Sequence, residues 1–98
     1  MIICRVIGHV WATKKEESLN GTKMMVVQQT DELGEDLNDL FVAVDVVGAG
    51  IGERVIVVNG STARRAFGKD DIPIDAAIVG IIDSLEVDKE ILGKESTD

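Results

Sequence analysis

The chain has 98 residues, enough for one small domain, and 45% of them are apolar, so that a hydrophobic core can form. The formal net charge of −8 repels phosphate backbones and three aromatic residues give no stacking platform, which argues against a nucleic-acid binder. No apolar run approaches the ~20 residues that span a bilayer. The first residues do not resemble a signal peptide, and one cysteine cannot form an internal disulfide, so we expect a cytoplasmic protein.

The first third of the chain predicts two strands joined by a polar turn. Residues 1–12 are rich in Ile and Val, and they form the first strand. One face of this strand is continuously apolar and is the predicted core face: Ile2, Cys4, Val6, Gly8 and Val10. The polar residues 13–21 end in the turn signal Asn20-Gly21, and residues 23–29 form the second strand.

The middle of the chain predicts an acidic loop, followed by two strands on either side of a glycine cluster. Residues 31–39 are expected to form an exposed loop or hairpin tip. Residues 40–47 and 54–59 are the third and fourth strands, and the sequence GAGIGE lies between them. A phosphate-binding loop of this appearance needs a helix that begins at the glycines. Residues 53–58 are rich in Val and Ile and continue as a strand, so we exclude dinucleotide binding.

The last third predicts one short helix and one strand. In residues 61–67, Ser61 or Thr62 is expected to cap the helix and Gly68 to end it. Residues 75–87 are expected to form the fifth strand, because Ile and Val are concentrated around its centre. We therefore predict a single domain over residues 1–88 and a charged tail over residues 89–98.

These elements predict an all-β fold, a small five-stranded OB-like β-barrel with one short helix between strands 4 and 5. Three of the predicted strands are apolar on both faces, at residues 24–27, 43–47 and 55–58. A lone small barrel buries only its inner face, and an apolar outer face would expose a patch that soluble monomers avoid. We therefore expect the outer faces to be buried against copies of the same chain.

The sequence contains no arrangement that predicts catalysis or metal binding. Cys4 and His9 lie on opposite faces of the first strand, so they are not expected to act as a pair. One His, one Cys and scattered carboxylates lack metal-ligand spacing. Three acids interrupt apolar runs: Asp45, Asp75 and Asp83. Ion pairs with arginines or hydrogen bonds to loop amides are favoured over a catalytic pair, and the candidate arginines are Arg54, Arg64 and Arg65. We predict no enzymatic activity, no cofactor and no metal.

Three motifs together resemble the EutN/CcmL family of bacterial microcompartment vertex proteins. They are D-V-V-G-A-G-I-G-E from Asp45, G-S-T-A-R from Gly60 and D-A-A-I-V-G-I-I-D from Asp75. The similarity covers about residues 2–87. It implies an OB-like barrel that assembles into a homopentamer and closes the five-fold vertices of a polyhedral shell in the cytoplasm. It also implies that hexameric shell proteins of the facets are the partners.

The resemblance places candidate residues at the subunit interface or at a central opening: Asp45, Gly48, Ala49, Gly50, Ser61, Arg64 and Asp83. Our hypothesis is that Arg64 lies at the interface and pairs with a carboxylate such as Asp45 or Asp83. The glycine cluster is expected either to line the opening or to form a tight bend against a neighbour.

Several alternatives stay open from the sequence. The ring could be a hexamer, and the shell could belong to a glycyl-radical, ethanolamine, propanediol or carboxysome compartment. A small OB-fold nucleic-acid-binding module, testable by a binding assay at low salt, is the alternative function. An enzyme with a site between subunits is a third reading.

Overall fold

The computed structural model describes residues 1–11, 17–19, 21–68, 73–85, 87–88 and 90–91. In this part of the chain, five strands form a closed barrel in the order β1-β2-β3-β5-β4. The elements are β1 (Ile2–His9), a 3₁₀ turn (Glu17–Leu19), β2 (Met24–Thr30), β3 (Asp36–Asp45), β4 (Arg54–Asn59), α1 (Gly60–Phe67) and β5 (Ala76–Ile81). All strand pairs are antiparallel except β3 with β5. The predicted all-β barrel, with its helix between the fourth and fifth strands, is confirmed.

Alternation along the strands fills the barrel with small and medium apolar side chains. Cys4 and Val6 point inward from β1, which confirms the predicted core face of that strand. The interior of the barrel consists of buried residues from every strand and one from the loop after β3: Cys4, Val6, Met25, Val27, Ala43, Ala49, Val55, Val57, Ala76 and Ile78. A second apolar cluster lies where α1 covers the barrel, with Ala63 fully buried against it. The close packing of these residues is what holds the strands in register.

Helix α1 follows β4 without a linker. Asn59, the last residue of β4, occupies the N-cap position, and its side chain makes no capping hydrogen bond. The expected cap by Ser61 or Thr62 is therefore wrong, since the helix already begins at Gly60 and both hydroxyl residues lie within its first turn. The predicted stop is confirmed, because Gly68 has a φ of 97° and donates its N–H to the carbonyl oxygens of Arg64 and Arg65.

Several strand boundaries differ from the sequence prediction, and β1 ends at His9 rather than at residue 12. The turn between β2 and β3 closes within residues 31–35, because Asp31 Oδ1 accepts the N–H groups of Leu33 and Glu35. The rest of the predicted acidic loop is the start of β3. That strand ends at Asp45 rather than at residue 47. The β5 strand stops at Ile81, since the last bond to β4 runs from Ile82 N–H to Arg54 O, where β4 begins.

The predicted charged tail, residues 89–98, lies outside the described residues except for residues 90 and 91. Within the described parts of the chain, there is no helix with the length and apolarity needed to cross a membrane.

Candidate functional site

The loop between β3 and β4 is held together by one carboxylate. Asp45 Oδ1 accepts the N–H of Val47 at 2.9 Å and the N–H of Gly48 at 3.0 Å, and Oδ2 accepts the N–H of Ala49 at 2.7 Å. Gly48 has a φ of 84°, a left-handed conformation that glycine adopts without the steric strain of a side chain. The carboxylate therefore satisfies three consecutive amides that leave the sheet when β3 ends.

Lys23 completes the contacts of Asp45 from the start of β2. Its Nζ lies 3.3 Å from Asp45 Oδ2 and donates a hydrogen bond to the carbonyl oxygen of Ala49 at 2.8 Å. The Asp45 side chain has 0% exposure, whereas the Lys23 side chain is 42% exposed. This role of Lys23 was not predicted from the sequence. Lys23 and Asp45 are brought together by the pairing of β2 with β3, in which Asp45 N–H donates to Lys23 O. This register is set by the tertiary fold.

The far end of the loop is attached to β1 and to a second carboxylate. Glu53 Oε1 accepts the Gly50 N–H at 2.6 Å. Gly52 N–H donates to Val6 O, and Val6 N–H donates to Glu53 O. Amides that could have bound a phosphate are thus used by carboxylates of the same chain, and β4 follows where a nucleotide-binding loop needs a helix. The loop is a closed structural unit.

The predicted site residues fall into three places on the subunit. Asp45, Gly48, Ala49 and Gly50 share the loop just described. The helix α1 carries Ser61 and Arg64, and Asp83 follows β5. The structure does not bring these three groups into one site within a subunit.

Two of the predicted site residues have enclosed side chains. Ala49 has 0% exposure and packs in the barrel core. Asp45 is enclosed and binds Lys23 and the loop amides, so within the subunit it is not paired with Arg64. Arg64 instead donates from Nη1 to the carbonyl oxygen of Ile74 at 3.1 Å. Asp83 is exposed and stays available.

The two residues considered for nucleophilic chemistry are separated as expected. Cys4 is buried in the core, and desolvation raises the pKa of its thiol to about 11, so it is not a nucleophile at neutral pH. His9 is exposed, with its ring 5.6 Å from that of Trp11. Across the described ranges, no group of three or more His, Cys, Asp or Glu residues could hold a metal ion.

The family model for EutN/CcmL, described as "Ethanolamine utilisation protein EutN/carboxysome", matches residues 1–83. The chain belongs to the EutN/CcmL family. It is 47% identical over 97 residues to the carboxysome shell vertex protein CcmL of Thermosynechococcus vestitus, covering 99% of this chain and 98% of the relative. It is 53% identical over 87 residues to the microcompartment shell vertex protein GrpN of Rhodospirillum rubrum, covering 88% of this chain and 97% of GrpN.

A solved structure supports the same assignment. The pentameric microcompartment shell protein GrpN from Rhodospirillum rubrum matches with a TM-score of 0.82, covering 89% of this chain and 99% of GrpN. These EutN/CcmL relatives are structural shell proteins. The D-V-V-G-A-G-I-G-E motif gains a physical meaning here: Asp45 and Glu53 at its ends bind the amides between them.

Proposed function

We propose that this chain is a structural shell protein whose homopentamer closes the five-fold vertices of a bacterial microcompartment in the cytoplasm. The facets around each vertex are built of hexameric shell proteins, and the chain turns over no substrate. The observation that carries this proposal is the match along nearly the whole of both chains to a shell protein that is itself pentameric. The compartment type stays open, because the relatives include vertex proteins of carboxysomes and of other compartments.

The outer surface of the barrel supports the proposed ring. Exposed apolar residues occur on β3 and directly after it: Leu40 is 57% and Val42 is 45% exposed, and Val46 and Val47 are 42% and 41% exposed. We call these four residues the β3 surface. Soluble proteins rarely leave a patch of this kind uncovered, so the β3 surface is a candidate contact between subunits.

A second apolar surface lies on the other side of the barrel. Ile3 and Ile56 are paired across β1 and β4, next to a depression of about 410 Å³ that is also lined by Met1, Ile82 and Leu85. We call these five residues the β1–β4 surface. The strand order separates it from the β3 surface by β2 in one direction and by β5 in the other. A closed head-to-tail ring requires two different surfaces on each subunit, and these two surfaces are candidates for that role.

Arg64 and Asp83 remain the proposed charged contact of this interface. Arg64 uses Nη1 within the subunit, which leaves guanidinium donors for a neighbour, and Asp83 is exposed. Ser61 is exposed in the first turn of α1, and Gly48 is exposed at the tip of the loop, so both are accessible to a second copy. Gly50 is less exposed than either of them, and its N–H is bound by Glu53.

Native mass spectrometry of the purified chain tests the ring. Five chains of 10.5 kDa give 5 × 10.5 = 52.5 kDa, and six give 6 × 10.5 = 63 kDa. A stable species at the first mass supports the proposal. A monomer at micromolar concentration contradicts it, and a species at the second mass replaces the pentamer with a hexamer. Arg64→Ala is expected to weaken assembly, whereas Arg65→Ala, the neighbouring exposed arginine, serves as the control.

A further inference from the structure

Arg54 carries two hydrogen-bond donors that nothing in the described chain satisfies. It is the first residue of β4, and its side chain lies on the outer face because Val55 and Val57 point into the core. The atoms Nε and Nη2 are enclosed, and neither has a hydrogen-bond partner. A buried charged donor without a partner is strongly unfavourable. We therefore expect a group outside the described chain to accept these hydrogen bonds in the functional protein.

The two orphaned atoms lie on the same edge of the guanidinium. The Nε–H and one Nη2–H are parallel in the planar group, and together they form the fork that matches the two oxygens of a carboxylate or phosphate. Both donor atoms of this edge are therefore unpaired, and one bidentate oxyanion that reached the edge would satisfy them together. The neutral groups of a protein, such as single carbonyl oxygens, do not fill such an edge in the same way, because each offers one oxygen.

The neighbouring charges also favour an anion at this position. Arg5 lies directly opposite Arg54 on β1 in the register of the two strands. Like charges in that relation repel each other. Arg5 is held by Asp36, on the side of β1 that faces β2 and β3. The other ion pair among the described residues joins Lys23 to Asp45 and does not reach Arg54. Within these residues, Arg54 has no acidic partner.

We propose that the Nε–Nη2 edge of Arg54 binds an oxyanion. The oxyanion is a carboxylate or a phosphate, and it has two possible sources. The first is a carboxylate of the adjacent copy, because Arg54 precedes Val55 and Ile56 on β4 and so borders the β1–β4 surface. The second is a free anion of the solution. The first source rests on the proposed ring, and the second does not.

The experiment compares three variants with the wild type. Arg54→Gln removes the charge and the fork, and Arg54→Lys keeps the charge but has no fork. Arg65→Gln is the matched control, since Arg65 is exposed on α1 and loses the same charge. Each protein is measured in two ways: the dissociation concentration of the oligomer by native mass spectrometry on dilution, and the shift in melting temperature with inorganic phosphate against chloride at equal ionic strength.

The two measurements distinguish the two possible sources of the oxyanion. With a carboxylate of the neighbour, Arg54→Gln and Arg54→Lys raise the dissociation concentration by about tenfold or more, as expected for charge-assisted hydrogen bonds. With a free anion, phosphate raises the melting temperature of the wild type and of Arg65→Gln but not of the two Arg54 variants. If both Arg54 variants match Arg65→Gln in both measurements, or if Arg54→Lys behaves as the wild type in both, the proposal is wrong. A monomeric wild type would contradict the proposed ring. The melting-temperature shift with phosphate would then be the one test of the oxyanion site.

Discussion

Replacement of Asp45 by asparagine is the sharpest test of how the loop between β3 and β4 is held. The carboxylate accepts two amide protons on Oδ1 and one on Oδ2, with Lys23 Nζ 3.3 Å from Oδ2. Asparagine has the same shape but only one acceptor oxygen. Its NH₂ group must face either the Ala49 N–H and Lys23, or the N–H groups of Val47 and Gly48. In each orientation, donors face donors in an enclosed position.

The expected loss can be estimated from these contacts. A hydrogen bond to a charged group contributes about 1.5–3 kcal/mol, and a buried donor left unsatisfied is unfavourable by about 1–3 kcal/mol. At least one amide is lost in either orientation, so we expect Asp45→Asn to lower the free energy of unfolding by about 3 kcal/mol. The Lys23 contact adds little to this figure, because its side chain is 42% exposed and screened by solvent.

Urea unfolding at one fixed protein concentration, followed by circular dichroism, measures the effect. With an m value of about 1.5 kcal/mol per M, the midpoint is expected to fall by about 2 M. Asp75→Asn is the matched control, since Asp75 is exposed and uses its backbone rather than its carboxylate to bind Gly60 and Asn59. Equal midpoints for the two variants would refute the view that the Asp45 charge holds the loop.

Gly48, Cys4 and Val42 give four further predictions. Gly48→Ala is expected to lower stability by about 1–2 kcal/mol in urea, because of its φ of 84°, whereas Gly8→Ala, whose new Cβ would lie 4.0 Å from Val26 Cβ, is not. The Cys4 thiol, whose pKa is raised to about 11 by desolvation, should resist iodoacetamide at pH 8 until urea unfolds the chain. Above pH 9 the unfolded thiol releases its proton while the folded one keeps it, so the contribution of Cys4 to stability should fall between pH 9 and about 11. Val42→Lys on the β3 surface should raise the dissociation concentration of the ring more than tenfold by sedimentation, and Thr62→Lys, exposed on α1, should not.

Local patterns in the sequence predicted the elements that depend on local physics. The bounds of β4 coincide with the prediction, because its β-branched residues alternate between the core and the outer face. The end of α1 at Gly68 was also predicted from local sequence, because it depends only on the left-handed conformation of that one glycine. An apolar outer surface was also predicted from the strands alone, and Val46 and Val47, within the predicted range 43–47, are exposed as expected.

What could not be predicted depends on contacts between distant residues. The start of β3 was missed because Asp36 is held by Arg5, which is 31 positions away, so an acidic residue could join a strand. The role of Lys23 likewise depends on the register of β2 with β3. Asp45, one of the two acids proposed as partners of Arg64, binds three amides of its own loop. In each case, the partner of a charged side chain depends on the tertiary fold and not on the local sequence.

Asp45 and Glu53 form a clamp, since their carboxylates bind the amides of the loop between β3 and β4. This clamp has a consequence for the association of one chain with another. Ordering a loop when two chains meet opposes binding by the conformational entropy that the loop loses. Here the two carboxylates fix the backbone from residue 45 to residue 53 while the chain is still alone. The ordering is completed during folding, so in the proposed ring a second copy would meet a loop that is already shaped. Damage to the clamp should therefore appear as slower and weaker association even in variants whose barrel remains folded.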